Sequence, residues 1–216
     1  MTSTYKRGDL TIDQQVALDT AAHRLSKEFA GTFGAETIAR FLQTSYDEFA
    51  EHGRVTNFLP LLAERFARQR LHALARVEGG GDGRPVVLFL CAHNAGRSQM
   101  ALGFFRALAD QNALAWSGGS EFADEINPTV VAAMAERGID ISAEFPKPWT
   151  DEVFQAADVV VTMGCGDACP VYPGKRYLDW ELDDPAGKAL ADVRPIRDEI
   201  ERHVHDLLAQ LDLPSV

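Results

Sequence analysis

The 216-residue chain is poor in cysteine, short of positive charge and without any long apolar run. Three cysteines, an odd number, do not make a closed disulfide framework and point to redox or catalytic thiols. No segment approaches the ~18 uninterrupted apolar residues of a membrane span. The N-terminus Met1-Thr2-Ser3-Thr4-Tyr5-Lys6-Arg7-Gly8-Asp9 lacks the apolar core of a secretory signal, so a cytoplasmic protein is expected. Lys and Arg number 21 against 32 Asp and Glu, a net charge of −11. From Met1 to Gly83 there are 10 basic and 11 acidic residues, net −1; from Arg84 onward there are 11 against 21, net −10. Nucleic acid and anionic membrane are poor partners for so acidic a surface, and an anion would have to be held by local geometry. No internal repeat, low-complexity tract or zinc-spaced Cys/His set is present, and no metal is expected.

What the chain does have is a change of pattern at Glu78-Gly79-Gly80-Gly81-Asp82-Gly83-Arg84-Pro85. Four glycines and a proline predict a linker over 79–85, separating a domain at 1–78 from one at 86–216. Upstream, three apolar stripes at helical spacing predict an all-α three-helix bundle: Ile12, Val16, Ala21, Leu25 and Phe29; Ile38, Phe41, Leu42, Ser45 and Phe49; Leu59, Leu62, Phe66 and Leu74. A bundle of this size has a marginal core, and self-association would add burial. Its third helix carries Arg65, Arg68, Arg70, His72 and Arg76, which a near-neutral domain charge marks as a solvated face rather than a DNA-reading one. Downstream, strands at 86–90, 114–117, 158–163 and 175–178 alternate with helices at 98–110, 128–137 and 191–211. That alternation predicts an α/β fold, a parallel sheet flanked by helices, with ligands at the C-terminal strand edge.

At that edge stand Cys91-Ala92-His93-Asn94-Ala95-Gly96-Arg97-Ser98, between the apolar run Val86–Leu90 and a helix-like stretch beginning at Gln99. A strand, a tight loop and a helix N-terminus present backbone N–H groups to a tetrahedral oxyanion, and the helix dipole favours a thiolate at the loop's mouth. Cys91 is placed as a nucleophile and Arg97 as a planar cationic clamp on the anion it attacks. Asn94 tolerates the left-handed backbone such a loop needs, and the Ser98 hydroxyl can donate to the Cys91 sulfur; an ordinary helix N-cap is the alternative for both. Cys165 and Cys169, four apart around Gly166-Asp167-Ala168, fit a thiol relay better than zinc ligation or core packing.

These residues resemble the low-molecular-weight tyrosine phosphatase superfamily, specifically its arsenate reductase branch. The resemblance runs from about Arg84 to the C-terminus through Ser98-Gln99-Met100-Ala101, Ser117-Gly118-Gly119, Ile126-Asn127-Pro128, Gly138-Ile139-Asp140-Ile141-Ser142, Val161–Pro170 and Asp183-Asp184-Pro185-Ala186. It implies a flavodoxin-like four-stranded parallel sheet. It also implies oxyanion binding by His93, Asn94, Ala95, Gly96, Arg97 and Ser98, and Asp184 as general acid with Asp183 as a helping neighbour. Cys165 and Cys169 would carry the relay, with no bound cofactor and an external thiol, thioredoxin or mycothiol, as reductant. The N-terminal block resembles the helical extension of some actinobacterial arsenate reductases, which implies a homodimer. Four positions depart from the pattern: His93 replaces a glycine, Gly96 stands where phosphatases carry a second loop cysteine, Ala186-Gly187 replace two tyrosines, and the Cys165–Cys169 spacing is short. A tyrosine phosphatase using Cys91, Arg97 and Asp184, or an arsenic- or redox-sensing regulator, are the other readings.

Overall fold

The computed structural model describes residues 10–51, 58–164 and 170–213. The chain divides into two compact units, Met1–Gly80 and Gly81–Val216. The first consists of α1 (Ile12–Glu28), α2 (Ala35–Glu51) and α3 (Leu59–Ala75). A capping box starts α1: Thr11 accepts from the Gln14 backbone while the Gln14 side chain takes the Thr11 N–H. Leu18, Ala21, Leu25 and Phe29 of this segment meet Ile38, Phe41, Leu42 and Phe49 and then Leu59, Phe66 and Leu71 in the core.

The expected α1 stripe is only partly right, because Ile12 and Val16 are 81% and 59% exposed. At 100° per residue they lie roughly 140° and 180° around the helix from Leu25. The basic face of α3 is engaged within the unit. Glu64, 4% exposed, takes hydrogen bonds from Arg24 Nε at 2.8 Å and Arg68 Nη2 at 2.9 Å, and the Arg24 bond leads in holding its carboxyl below the usual range. Arg70 lies over the Phe41 ring at 4.7 Å and donates to Thr44 and to Ser45, the one polar member of its stripe. After α3 the chain makes a wide turn over Arg76–Gly80 that is broken at Gly79, whose φ of 91° is not helical.

The second unit contains β1 (Val86–Cys91), α4 (Arg97–Ala109), β2 (Leu114–Gly119), α5 (Pro128–Ala135), α6 (Asp151–Ala156), β3 (Val159–Thr162), β4 (Arg176–Asp179) and α7 (Leu190–Gln210). The sheet is parallel throughout, as expected, and its strand order is β2-β1-β3-β4. All six residues of β1 are buried, so its sequence is continuously apolar instead of alternating. Val87, Phe89 and Cys91 join α4, α5 and α7 in one cluster, with Phe89 against Phe105 and Trp180 at 5.6 and 5.8 Å. The short α6 was not foreseen; six residues lie below the length at which periodicity is readable. Strand order reverses at β1, with β2 on one side and β3 on the other. The C-terminal end of β1 is thus the topological switch point, and Cys91 is its last residue.

Candidate active site

The turn from Cys91 to Arg97 is shaped by backbone bonds to the following segment. The carbonyls of Ala92, His93 and Ala95 accept from the N–H groups of Glu121, Ala123 and Asn127 at 2.9, 2.8 and 3.0 Å. With these oxygens engaged on one side, the peptide planes of the loop are fixed. Asn94 takes φ 48°, the left-handed conformation expected of it. Gly96 caps α4, and a Cβ there would lie 2.7 Å from Cγ of Pro185. A side chain at 96 and the Asp184-Pro185 segment cannot share that space. The N-cap reading of Ser98 and Asn94 is thereby displaced: Arg97 opens the helix and Ser98 is its second residue.

Hydrogen-bond counting fixes the orientation of the Asn94 amide beside the thiol. Oδ1 of Asn94 accepts from the Lys147 backbone N–H and from Gln99 Nε2, both at 3.1 Å. An amide whose oxygen faces two donors must turn its NH2 the other way, and Asn94 Nδ2 donates to Ser98 Oγ at 2.9 Å. Ser98 Oγ lies 3.0 Å from Cys91 Sγ. Oγ accepts from Asn94 and keeps its own proton free to donate to the sulfur. Cys91 is buried, Ser98 and Asn94 fully so.

Arg97 leaves the first turn of α4 with its side chain 10% exposed, and Nη2 pairs with Asp184 Oδ2 at 2.8 Å. Its guanidinium also rests on Gly164: a Cβ there would fall 2.8 Å from Nη1, and φ is 74°. The residue directly before Cys165 therefore touches the anion clamp. Asp184 is half-exposed, with Oδ1 accepting the Ala186 N–H at 2.9 Å. Asp183 has a partner of its own. Its carboxylate is 78% exposed and pairs with Lys188 at 3.2 Å. Cys91, His93, Gly96, Arg97, Asn127 and Asp184 line a cavity of about 230 Å³ together with Ala95, Ala123, Glu125, Pro128, Pro185 and Ala186. None of these is Phe, Tyr or Trp, so among the described residues the cavity suits a small oxyanion and has no platform for an aryl group.

The structure thus brings Cys91, Ala95, Gly96, Arg97 and Asp184 to one mouth, with Asn94 and Ser98 buried behind Cys91 rather than lining it. His93 is exposed at its rim, with Nδ1 3.0 Å from the Glu121 carbonyl oxygen. Cys165 and Cys169 lie outside the described residues. Sequence reasoning missed three contributors. Asn127 caps α5 by accepting from Thr129 at 2.9 Å and donates from Nδ2 to the Pro185 carbonyl at 3.3 Å, tying the Asp184 segment to the mouth. Asn before Pro at a helix start was a readable cap signal, but its second bond is tertiary. Gln99 and Lys147 had no local signal at all. Among the described residues no group of three or more His, Cys, Asp or Glu is arranged to hold a metal.

Residues 86–214 match the low molecular weight phosphotyrosine protein phosphatase family, and residues 18–75 match the protein-tyrosine-phosphatase-like N-terminal domain. The thioredoxin-dependent arsenate reductase Cg_ArsC1' of Corynebacterium glutamicum is 44% identical, with a TM-score of 0.82 over 92% of this chain and 98% of that one. A putative arsenate reductase of Halobacterium salinarum is 36% identical over 129 residues, 57% of this chain and 91% of that protein. A solved arsenate reductase in its phosphate binding state is 34% identical, with a TM-score of 0.51 over 58% of this chain and 98% of that one. The family model spans more than half of the chain and includes the Cys91-to-Arg97 loop at the end of β1, so the chain belongs to the low molecular weight phosphotyrosine protein phosphatase family.

Proposed function

We propose that the protein reduces arsenate to arsenite by cysteine chemistry. The observation that carries this reading is the pairing of a Cys91–Ser98–Asn94 hydrogen-bond chain with Arg97 and Asp184 around a cavity that, among the described residues, lacks an aryl platform. Likeness to Cg_ArsC1' and to the other arsenate reductases supports it. Arsenate enters as a phosphate mimic and takes Arg97 from Asp184. The Cys91 thiolate attacks arsenic, an As–S bond forms, and Asp184 protonates the oxygen that leaves as water. Cys165 then attacks the Cys91 sulfur. The As–S bond breaks with its electron pair going to arsenic, which leaves as arsenite, and a Cys91–Cys165 disulfide remains. Cys169 attacks Cys165, freeing the Cys91 thiolate and leaving Cys165–Cys169 for an external dithiol. A phosphoryl–Cys91 adduct has no equivalent reductive exit, so phosphate acts as a ligand. Gly164, seated on Arg97, begins the stretch carrying both later thiols, which supports their delivery to Cys91.

Thioredoxin is the reductant in this reading, in a cytoplasmic setting that keeps the thiols reduced. Arsenate-dependent NADPH oxidation, assayed with thioredoxin and its reductase and separately with mycothiol and its redoxin, should proceed with the first pair. Turnover with mycothiol alone would replace the relay by an external thiol, and rapid aryl phosphate hydrolysis without arsenate reduction would make the protein a phosphatase. In the Cys169→Ser variant, about one arsenite per enzyme should be released and a Cys91–Cys165 bond trapped, as read by mass spectrometry. The helical unit, 1–78, serves in this reading as a dimerisation module. Ile12, Val16, Phe58 and Leu61 support that role as exposed apolar side chains. Sedimentation of the full chain as a monomer at micromolar concentration would refute it.

A further inference from the structure

Behind the anion loop lies a buried polar layer that the reaction above does not use. Gln99, fully buried on the first turn of α4, directs Nε2 at the Asn94 carbonyl oxygen at 3.0 Å, Asn94 Oδ1 at 3.1 Å and the Phe145 carbonyl oxygen at 3.4 Å. Lys147, 2% exposed, sends its ammonium to the same Phe145 carbonyl at 3.2 Å, over the Phe145 ring at 4.6 Å, and its own backbone N–H binds Asn94 Oδ1. Both residues converge on the one left-handed residue of the loop.

The Gln99 amide is oriented at a disadvantage to itself. Its Oε1 is buried with no hydrogen-bond partner among the described residues, a loss that Met or Leu of similar size would avoid. The opposite orientation would set that oxygen against two Asn94 oxygens. The amide is therefore held as a donor pair for Asn94.

We infer that Gln99 and Lys147 are positioning residues that keep the Cys91 thiolate hydrogen-bonded. Together they pin Asn94 Oδ1, which turns Nδ2 to Ser98 and so commits the Ser98 proton to sulfur. Without the pair, the Asn94 amide can rotate, Ser98 can point its proton elsewhere, and the thiolate loses its partner. The inference rests on Cys91 as nucleophile but not on arsenate as substrate.

The test reads Cys91 directly, by peptide-resolved iodoacetamide alkylation of the full chain at about pH 7 and about pH 10, where a thiol is ionised without assistance. Gln99→Met should lower the ratio of the two rates about fivefold to tenfold. Gln99→Glu, which keeps the shape but offers acceptors in place of donors, should lower it further, and Lys147→Met, which keeps the backbone N–H on Asn94 but removes the ammonium that anchors this segment to the Phe145 carbonyl, should lower it by a smaller factor. A purely structural role would loosen the loop and raise both rates together, and a folded Gln99→Met protein with the wild-type ratio would equally overturn the inference. Should Gln99→Met fail to fold, Gln99→Glu and Lys147→Met decide by the same ratio. Failure of the wild type to reduce arsenate would end the proposed function while leaving this measurement intact.

Discussion

Replacing Gly96 by Ala adds one methyl group at the point where the loop meets the Asp184 segment. Its Cβ would sit 2.7 Å from Pro185 Cγ, 3.6 Å from Pro185 Cδ and 3.9 Å from Val130 Cγ2. Carbon atoms rest at ~3.5–4.0 Å, so about 1 Å must be recovered, and a proline ring has no flexible end that could swing away. The loop side resists, being tied by three backbone bonds. The Asp184-Pro185 segment has fewer ties, chiefly the 2.8 Å pair with Arg97 and the 3.3 Å bond from Asn127, and should be the part that moves. A displacement of about 1 Å in a reacting group costs on the order of a hundredfold in rate, while overpacking costs about 1–3 kcal/mol in stability. Single-turnover arsenite release by Gly96→Ala should therefore fall about a hundredfold, with Cys91 alkylation close to wild type because the Ser98–Asn94 relay is untouched. Adding Pro185→Ala removes the colliding Cγ and should restore part of the rate, a non-additive pair. Wild-type turnover in Gly96→Ala, or a parallel loss of alkylation, would show that the clash is not transmitted through Pro185.

Asp184→Asn should lower arsenate reduction at least about a hundredfold by removing the acid, yet tighten inorganic phosphate binding several-fold, because the carboxylate now paired with Arg97 at 2.8 Å would no longer compete; weaker phosphate binding in calorimetry would refute that competition. Cys91→Ser should abolish arsenite release entirely while leaving the fold and the melting transition near wild type, and any residual reduction would place the nucleophile elsewhere. Glu136, at the end of α5, is held down at about 2 by hydrogen bonds from Arg194 and then Arg197 of α7, against an ordinary value of 4.5. A depressed carboxyl contributes stability above its unfolded value, and that contribution is lost as pH falls through the folded one. Glu136→Gln should accordingly lower the melting temperature at neutral pH, with the gap closing between pH 4.5 and about pH 2; a gap unchanged below pH 2 would be the contrary result.

The parallel sheet, the bundle and the nucleophilic loop were legible in the linear chain because each rests on local rules. Val86–Leu90 is apolar without alternation since both faces of β1 are covered, and the glycines at 79–83 interrupt every period around them. Asn94 in a left-handed turn and Ser98 near the thiol follow from the conformational and hydrogen-bonding habits of those residue types. Periodicity failed where it was extrapolated: Ile12 and Val16 look like core but lie on the wrong side of α1, because a stripe can be drawn through positions that 100° steps place on opposite faces. Everything that required distant segments to meet was decided only by the tertiary structure. No spacing relates Gly96 to Pro185, Arg97 to Asp184 or Gly164, or Gln99 and Lys147 to Asn94. These contacts arise because the switch point at the end of β1 gathers the loops of several strands into one place. The resemblance already singles out Asp184 of the two neighbouring carboxylates, but that it pairs with Arg97 while Asp183 pairs with Lys188 follows only from the path of the backbone.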